Sequence, residues 1–348
     1  MLLALPSIGW GAAPATAMVA PAEIYVTNEA DGTLSIIDAR TLKVAATIHL
    51  GKRPRGLRTS PDGHLLFVAL SGSPVAGPGV DESTLPPPDR AADGIGVVDL
   101  RQRKLVRTIR GVTDPEQLDV SPDGSRLYVA SEDSGKLFVF DIASGRVLKE
   151  LPVGGEPEGV GSSPDRHWIC ATSETDSSVT LVDAQGERPI RTIAVGARPR
   201  NCLFSHDSRL LYVPSENGAS LSTIDVANGK VTRTIKLPGQ VVRPMGIVLS
   251  PDGATAYVTT GRGREVLAVD LAAGNVRART TVGTRPWGVA LSADGRLLYT
   301  ADGPSDTVSV VDTASMRRVA TVHVGSRPWG VAVTHVTPSS APAMDPDR

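Results

Sequence analysis

The sequence predicts an all-β fold, a seven-bladed β-propeller with four-stranded antiparallel blades. Two recurring patterns lead to this prediction. A phrase of the form Arg-Pro-x-Gly, or a close variant, begins at positions 53, 114, 156, 198, 243, 285 and 327, and an Asp ends an apolar stretch at positions 38, 99, 141, 183, 225, 270 and 312. Successive aspartates are 61, 42, 42, 42, 45 and 42 residues apart. A repeat of about 42 residues that holds several short strands is typical of a propeller blade.

The two ends of the chain are predicted to share one blade. The repeats start in the middle of a unit, at 24–28, and end with a lone phrase at 327–333 that no further turn follows. We therefore expect 327–333 to be the innermost strand of a composite blade whose three outer strands come from the N-terminus. This arrangement closes the ring and leaves no long free sheet edge.

The unit at 115–151 shows how each repeat is divided. Apolar stretches at 117–120, 127–131, 137–141 and 147–151 are the predicted strands A to D, and Pro-Asp-Gly at 122–124 is a tight turn between the first two. Because the strands alternate in direction, the A–B and C–D turns lie on one face, here called the bottom face. The B–C loops and the D–A crossovers lie on the other, the top face. The recurring Asp residues of the bottom face are expected to bond their own turns.

Three segments depart from the repeat. Residues 1–20 are apolar and end in a small-x-small pattern, which predicts a cleaved secretory signal peptide and a periplasmic or secreted protein. Residues 21–336 form the propeller, and residues 71–93 carry a top-face loop insertion rich in Pro and Gly. The tail, 337–348, is predicted to be disordered. With 36 basic and 37 acidic residues the chain has a net charge of −1, which argues against nucleic acid as a partner, and no membrane span is predicted in the mature chain.

The chain has two cysteines, Cys170 and Cys202, in neighbouring repeats. In an exported protein they could form a disulfide bond between two blades. Alternatively, both are buried thiols that pack as small apolar groups.

The top face carries the candidate ligand-binding residues, because its crossovers and B–C loops repeat Arg, Glu and Trp at equivalent positions. The candidates are Arg53, Arg198, Arg243, Arg285, Arg327, Glu132, Glu158, Glu174, Glu216, Trp287 and Trp329. The Pro after each of these Arg residues is expected to hold the Arg in extended backbone and to aim all five in the same way. Two interpretations stay open. The Arg residues either pair with Glu of neighbouring blades, or some of them, with both Trp, remain available to a ligand or partner.

The repeats resemble those of the YVTN family of β-propellers, on the strings Tyr25–Asn28 and Tyr257–Thr260 and on the seven repeated units. Pro115–Gln117, Gly155–Gly159 and Arg327–Val331 narrow the resemblance to the PQQ-dependent catabolism-associated β-propeller proteins. That resemblance implies an exported seven-bladed protein whose gene accompanies periplasmic quinoprotein alcohol oxidation and an ABC transport system. The long loop at 71–93 departs from the family pattern.

Three functions follow as hypotheses. The first is a periplasmic binding or scaffold protein that binds an anionic small molecule, with PQQ as a speculative ligand, or a partner such as a quinoprotein dehydrogenase or a transport component. The second is a lactonase-like hydrolase in which Glu132, Glu174 or Glu216 acts with Arg198 or Arg243. The third is a cell-surface or adhesion protein. No c-type haem motif, nucleophile elbow or phosphate loop occurs, and the sequence points to no catalytic residue, metal site or resident cofactor.

Overall fold

Seven four-stranded antiparallel sheets follow one another along the chain and form a seven-bladed β-propeller. This computed structural model describes residues 22–75 and 84–334. The predicted signal peptide, the predicted tail and the centre of the 71–93 insertion lie outside the described residues. The predicted fold class is confirmed.

The blades are numbered from the one that contains the N-terminal strands. Blade 1 is formed by β1 (Glu23–Asn28), β2 (Thr33–Asp38), β3 (Lys43–His49) and, from the other end of the chain, β28 (Pro328–Val333). Blade 2 is formed by β4 (Pro54–Thr59), β5 (Leu65–Leu70), β6 (Gly94–Asp99) and β7 (Lys104–Ile109). Blade 3 is formed by β8 (Pro115–Val120), β9 (Arg126–Ser131), β10 (Lys136–Asp141) and β11 (Val147–Pro152).

The remaining blades continue in the same order. Blade 4 is formed by β12 (Pro157–Ser162), β13 (Trp168–Ser173), β14 (Ser178–Asp183) and β15 (Arg188–Ala194). Blade 5 is formed by β16 (Leu203–Phe204), β17 (Leu210–Ser215), β18 (Ser220–Asp225) and β19 (Lys230–Lys236). Blade 6 is formed by β20 (Ile247–Leu249), β21 (Thr255–Thr259), β22 (Glu265–Asp270) and β23 (Asn275–Thr281). Blade 7 is formed by β24 (Pro286–Leu291), β25 (Leu297–Asp302), β26 (Thr307–Asp312) and β27 (Arg317–His323).

The predicted composite blade is confirmed. Strand β28 pairs antiparallel with β1, with Val333 opposite Ile24 and Val331 opposite Val26. The order of the sheet is β28-β1-β2-β3, so the C-terminal strand is innermost. The ring is therefore closed by hydrogen bonds between the two ends of the chain.

Apolar side chains of adjacent blades hold the ring together. One cluster, for example, joins Phe67 and Ile95 of blade 2 to Leu118 and Phe140 of blade 3, all of them buried. Close to the axis the innermost strands approach one another so tightly that the Gly of the repeated phrase is needed. A Cβ on Gly330 would lie 2.8 Å from the carbonyl oxygen of Arg55 in the next blade. The recurring Gly is thus a consequence of ring closure.

The recurring aspartates bond the bottom-face turns, as predicted. In blade 2, Ser60 Oγ donates to Asp62 Oδ1 at 2.5 Å, and the backbone NH of His64 donates to the same oxygen at 3.0 Å. At the end of β2, Asp38 Oδ1 accepts hydrogen bonds from the backbone NH groups of Arg40 and Thr41. Such bonds lower the pKa of Asp38 and Asp62. These groups serve local turns.

Cys170 and Cys202 form a disulfide bond. Cys170 lies in β13 of blade 4, and Cys202 lies just before β16, the shortest innermost strand of the propeller. Both cysteines are buried. The disulfide links blade 4 to blade 5 next to β16, which pairs with β17 at only two positions.

The expectation about the residues before proline was wrong. Arg53, Arg198, Arg285 and Arg327 have φ between 39 and 56°, in the left-handed region rather than in extended backbone. The crossover has to turn sharply here from one blade into the next, and this requirement outweighs the preference of a residue before proline for extended backbone. Arg243, in the longest crossover, is absent from this positive-φ set.

Candidate functional site

The third residue of each repeated phrase lies at the top mouth of the central channel. The resulting inner ring, in the order of blades 2 to 7 and then 1, consists of Arg55, Glu116, Glu158, Arg200, Met245, Trp287 and Trp329. The four members in blades 2 to 5 are charged, two Arg and two Glu. The three members in blades 6, 7 and 1 are Met and Trp. The mouth therefore has a charged side and an apolar side.

Arg55 is the centre of a buried ion cluster on the charged side. Its side chain is 2% exposed, and its guanidinium contacts the carboxylates of Asp114 at 2.6 Å, Glu132 at 3.1 Å and Glu116. Its Nη2 also donates to the carbonyl oxygen of Pro115 at 2.7 Å. One blade 2 cation is thus held by three carboxylates of blade 3.

Arg200 has the same role further round the ring. Its guanidinium contacts Glu216 at 2.8 Å and also contacts Glu158 and Glu174. Arg198 donates through Nε to Glu174 at 2.6 Å. These contacts tie blade 5 to blade 4, as the blade-pairing interpretation predicted for these Arg residues.

Arg53 is also paired, and it holds the insertion in place. Its guanidinium contacts Glu29 of the preceding blade at 2.9 Å. Its Nη1 donates to the carbonyl oxygens of Ser73 and Pro74, at the start of the insertion, at 3.0 and 3.1 Å. On the far side of the insertion, Arg90 bridges to Asp133 of blade 3 at 2.5 Å.

Three Arg residues at the cavity have no acidic partner. Among the described residues, no carboxylate contacts the side chains of Arg262, Arg285 or Arg327, although all three line the same cavity as the paired ones. Burial, and then the guanidiniums of Arg200 and Arg262, lower the pKa of Arg285 from its usual range, although the carboxylates of Glu216 and Glu29 oppose the shift. These three residues belong to blades 6, 7 and 1.

The repeat explains why Arg285 and Arg327 are unpaired. Arg53 and Arg198 each contact the Glu that follows strand B of the preceding blade, Glu29 and Glu174. The register of the sheets places Gly261 of blade 6 and Gly303 of blade 7 at that same position. The carboxylate that would meet Arg285 or Arg327 is therefore missing from the chain.

The two Trp residues stack on each other, and two Arg side chains pack on one of them. The ring centroids of Trp287 and Trp329 are 5.2 Å apart with an interplanar angle of 25°. The guanidinium carbons of Arg200 and Arg285 each lie 5.0 Å from the Trp287 ring centroid. Such cation–π contact holds a guanidinium without neutralising it. The faces of Trp287 are therefore occupied by Trp329 and by Arg side chains.

These residues surround a cavity of about 530 Å³ on the top face. Part of the insertion, Leu85–Pro88, forms one wall. A smaller cavity of about 40 Å³ lies in the channel beneath, and Glu158, Arg200, Trp287 and Trp329 line both, so they form the floor between them. The upper cavity has the size of a small-molecule site.

Nine of the eleven candidate residues line this cavity. They are Arg53, Arg198, Arg285, Arg327, Glu132, Glu158, Glu216, Trp287 and Trp329. Glu174 lies behind this layer and contacts Arg198 and Arg200. Arg243 does not line the cavity; the three-residue lengthening of its crossover takes it out of the register that the other Arg residues share. Blade 6 contributes Arg262 instead.

Glu132 is the most perturbed acid of the site. Burial raises its pKa to about 7, and nearby Glu158 and Asp114 add to the rise, while Arg55 opposes it. Carboxylate oxygens of Glu116, Glu132 and Glu158 all lie within 4.8 Å of one another. Three carboxylates could hold a hard cation, but Arg55 and Arg200 already contact this cluster.

Some site residues escaped the sequence-based choice. Arg262 occurs once, in a B–C loop, and no repeat marks it. Arg55, Arg200 and Glu116 belong to the inner ring, and their position two residues after the first residue of the repeated phrase was the available signal.

Asp302 ends strand B of blade 7 but is buried, and it accepts hydrogen bonds from Thr300 at 2.8 Å and Ser309 at 2.6 Å.

Two family models match parts of the chain. A YNCE-like beta-propeller model matches residues 81–167, and a model of the 7-bladed beta-propeller lactonases matches residues 160–320. Each covers less than half of the chain. No curated protein matches it.

Solved structures with the same fold are numerous. Kuenenia stuttgartiensis hydrazine synthase has 21% identity and a TM-score of 0.68, with 81% of this chain and 95% of that one covered. A protein of unknown function from Desulfotomaculum acetoxidans has 16% identity and a TM-score of 0.75, with 90% and 99% covered. A putative 6-phosphogluconolactonase from Bacteroides fragilis has 17% identity and a TM-score of 0.72, with 92% and 100% covered. At these identities the likeness shows the fold alone, and the two partial family matches agree with it: the chain is a seven-bladed β-propeller.

Proposed function

We propose that this protein is a binding protein for a small anionic molecule, which occupies the top-face cavity. The observation that carries the proposal is the group of three Arg side chains without acidic partners among the described residues, Arg262, Arg285 and Arg327. Each of the other five Arg residues that line this cavity contacts at least one carboxylate.

Unpaired guanidiniums in one cavity are costly unless an anion joins them. Arg remains protonated at every physiological pH, so mutual repulsion cannot be relieved by loss of a proton. Burial is the main reason that the pKa of Arg285 is lowered; Arg200 and Arg262 add to the shift, while Glu216 and Glu29 oppose it. A carboxylate or phosphate accepts paired hydrogen bonds from a guanidinium and would restore the balance.

The cavity limits the ligand to a small molecule. About 530 Å³ lies within the usual range for small-molecule sites. PQQ, a planar tricarboxylate, is one member of this class, and the resemblance to PQQ-associated propellers makes it a ligand to test. A periplasmic or secreted location agrees with the interblade disulfide, since such bonds persist in oxidising compartments. A quinoprotein dehydrogenase or a transport component is then the proposed partner.

Calorimetric titration of the purified protein with citrate, inorganic phosphate and PQQ tests the proposal. We expect the double variant Arg285→Gln/Arg327→Gln to bind the preferred anion about ten- to a hundredfold more weakly, as for lost charge-assisted hydrogen bonds. Arg243→Gln is the matched control, because it has the same place in the repeat but does not line the cavity. Equal losses in both variants, or no binding of any anion by the parent protein, would contradict the proposal.

Lactone hydrolysis is the second candidate function. The raised pKa of Glu132, about 7, is suited to a general base, and the lactonase model matches residues 160–320. Glu132 would take a proton from water as the oxygen adds to the lactone carbonyl, and it would return that proton to the departing ring oxygen as the ring C–O bond breaks. Turnover of a lactone panel that Glu132→Gln lowers by about 10²-fold or more would favour this function; no turnover would exclude it for that panel.

A further inference from the structure

The cavity has opposite charge excess on its two sides. On the side of blades 3 to 5, carboxylates outnumber the guanidiniums that contact them: Asp114, Glu116, Glu132, Glu158, Glu174 and Glu216 against Arg55, Arg198 and Arg200. On the side of blades 6, 7 and 1 stand Arg262, Arg285 and Arg327 without carboxylates in contact, among the residues described. The two imbalances are of the same size and of opposite sign.

The order of the blades places the acidic side and the Arg side on different parts of the ring. Glu132 follows strand B of blade 3, Arg262 follows strand B of blade 6, and Arg285 begins blade 7. In a ring of seven, blade 3 is three steps from blade 6 in one direction and three steps from blade 7 in the other. Glu132 therefore lies across the mouth of the channel from Arg262 and Arg285, and Arg327, which leads into blade 1, is two steps from it.

Of the six acids on this side, Glu132 lies farthest from its nearest guanidinium and has the most exposed side chain. It has one guanidinium contact, at 3.1 Å from Arg55, and Arg55 also contacts Asp114 and Glu116. About a third of its side chain is exposed, whereas those of Glu116 and Glu158 are almost fully buried. It is thus the carboxylate of this side that a ligand can reach.

We infer that the ligand carries an anionic group at one end and a cationic group, of the ammonium type, at the other. The anionic group contacts Arg285 and Arg327, and the ammonium group contacts Glu132. This inference rests on the proposed anion-binding function and adds the second end of the ligand. An ω-amino carboxylate would place one charge of opposite sign against each excess, whereas a dicarboxylate of the same length would place its second charge against the acidic side. The second, independent reason to place a ligand in this cavity is its Arg side, where no carboxylate of the described residues contacts the three Arg side chains.

Matched pairs of ligands test this inference. Calorimetric titrations would compare 5-aminovalerate with glutarate and 6-aminohexanoate with adipate, with pentanoate as the carboxylate that lacks a second charge. We expect the amino carboxylate of a pair to bind about tenfold or more tightly than its dicarboxylate, because its ammonium group adds one charge-assisted hydrogen bond to Glu132. Glu132→Gln should remove this preference and leave pentanoate binding unchanged, while Arg285→Gln should weaken all of these ligands together.

The outcomes separate this inference from the proposed function. If dicarboxylates bind as well as or better than the amino carboxylates, the inference is wrong and the anion-binding function stands. If Mg²⁺ or Ca²⁺ alone binds with one-to-one stoichiometry and Glu132→Gln abolishes it, the acidic side is a metal site and the inference is also wrong. If no ligand of the panel binds and citrate, phosphate and PQQ fail as well, the proposed function itself fails.

Discussion

The two halves of the top mouth were built from the same repeat and have diverged in opposite ways. In blades 2 to 5 the inner ring is charged, and each Arg there has carboxylates around it. In blades 6, 7 and 1 the inner ring is Met and Trp, and Arg285 and Arg327 of the crossovers meet glycine where the repeat elsewhere supplies glutamate. The first half uses Arg to hold blades together. In the second half, no carboxylate of the described residues contacts Arg285 or Arg327, and Arg285 packs on Trp287 instead.

The comparison teaches that the role of a repeat position depends on its neighbours. Arg198 and Arg285 occupy equivalent places and share a positive φ, yet one is neutralised by Glu174 and the other lies over Trp287. Two neighbouring positions differ: Arg198 contacts Glu174 of the preceding blade and Glu216 of its own, whereas Gly261 and Gly303 stand at the equivalent positions beside Arg285. The same Arg can therefore be structural in one blade and available to a ligand in another.

The largest expected effect is on stability, from the charged half. Arg55→Ala would leave Asp114, Glu116 and Glu132 without their shared cation, and breaking such a buried network costs about 3–5 kcal/mol. Arg285→Ala breaks no ion pair and removes only the cation–π contact with Trp287, so its cost should stay below about 2 kcal/mol. Urea unfolding of both variants measures the contrast. Similar losses in the two variants would remove the distinction between the halves.

The disulfide offers the next effect, because it also lies in the charged half. Cys170→Ala/Cys202→Ala removes the covalent link between blade 4 and the segment that carries Arg198 and Arg200, and we expect a loss of about 2–4 kcal/mol. Urea unfolding with and without a reductant would show it. The reductant should lower the midpoint of the parent and leave the double variant unchanged. An unchanged parent would mean that the link contributes little.

Some features of the fold and of the site could be predicted from the sequence, and others could not. The blade number and the closure of β28 on β1 could be predicted because they depend on spacing alone, and the turn aspartates because their bonds are local. The disulfide stayed open, since whether Cys170 meets Cys202 depends on how two neighbouring sheets are placed. Arg243 was grouped with the other Arg residues on pattern, but a three-residue lengthening moved it.

The rest of the site depends on contacts between blades. Arg285 lacks an ion pair because glycine, Gly261, stands where a glutamate stands in other blades. This can be recognised only when the register of the strands in blade 6 is known. Arg262 belongs to no repeated pattern and enters the cavity through one loop. The stacking of Trp287 on Trp329 follows from their places in adjacent innermost strands, but the angle between the rings does not.

A smaller effect, dependent on pH, is expected at Glu132. Its pKa is raised from 4.5 to about 7 in the folded protein, so between these values the folded state binds more protons than the unfolded state. Stability should therefore fall as pH rises from about 4.5 to 7 and then level off. Because Gln does not titrate, Glu132→Gln should gain in melting temperature relative to the parent across this interval. A difference between the two that is constant from pH 5 to 8 would contradict this prediction.

The smallest expected effect on stability gives the sharpest test of the comparison. Gly303→Glu restores the acid that the repeat lacks beside Arg327. A Cβ at Gly303 would meet its nearest neighbours at 3.6 Å or more, and this glycine is not among those with positive φ, so the side chain can be added without strain. Gly261, by contrast, has a φ of 49° and would resist the change.

In this variant the new carboxylate should neutralise Arg327 as Glu29 neutralises Arg53. We expect the melting temperature to stay within a few degrees or to rise, because an ion pair at a partly exposed site contributes about 0–1 kcal/mol. Anion binding, measured by calorimetry with the preferred anion, should fall about tenfold or more. Gly303→Gln adds nearly the same volume without charge and should keep most of the binding. If Gln and Glu weaken binding equally, the loss is steric, and the missing acid is not what makes this half of the mouth a binding site.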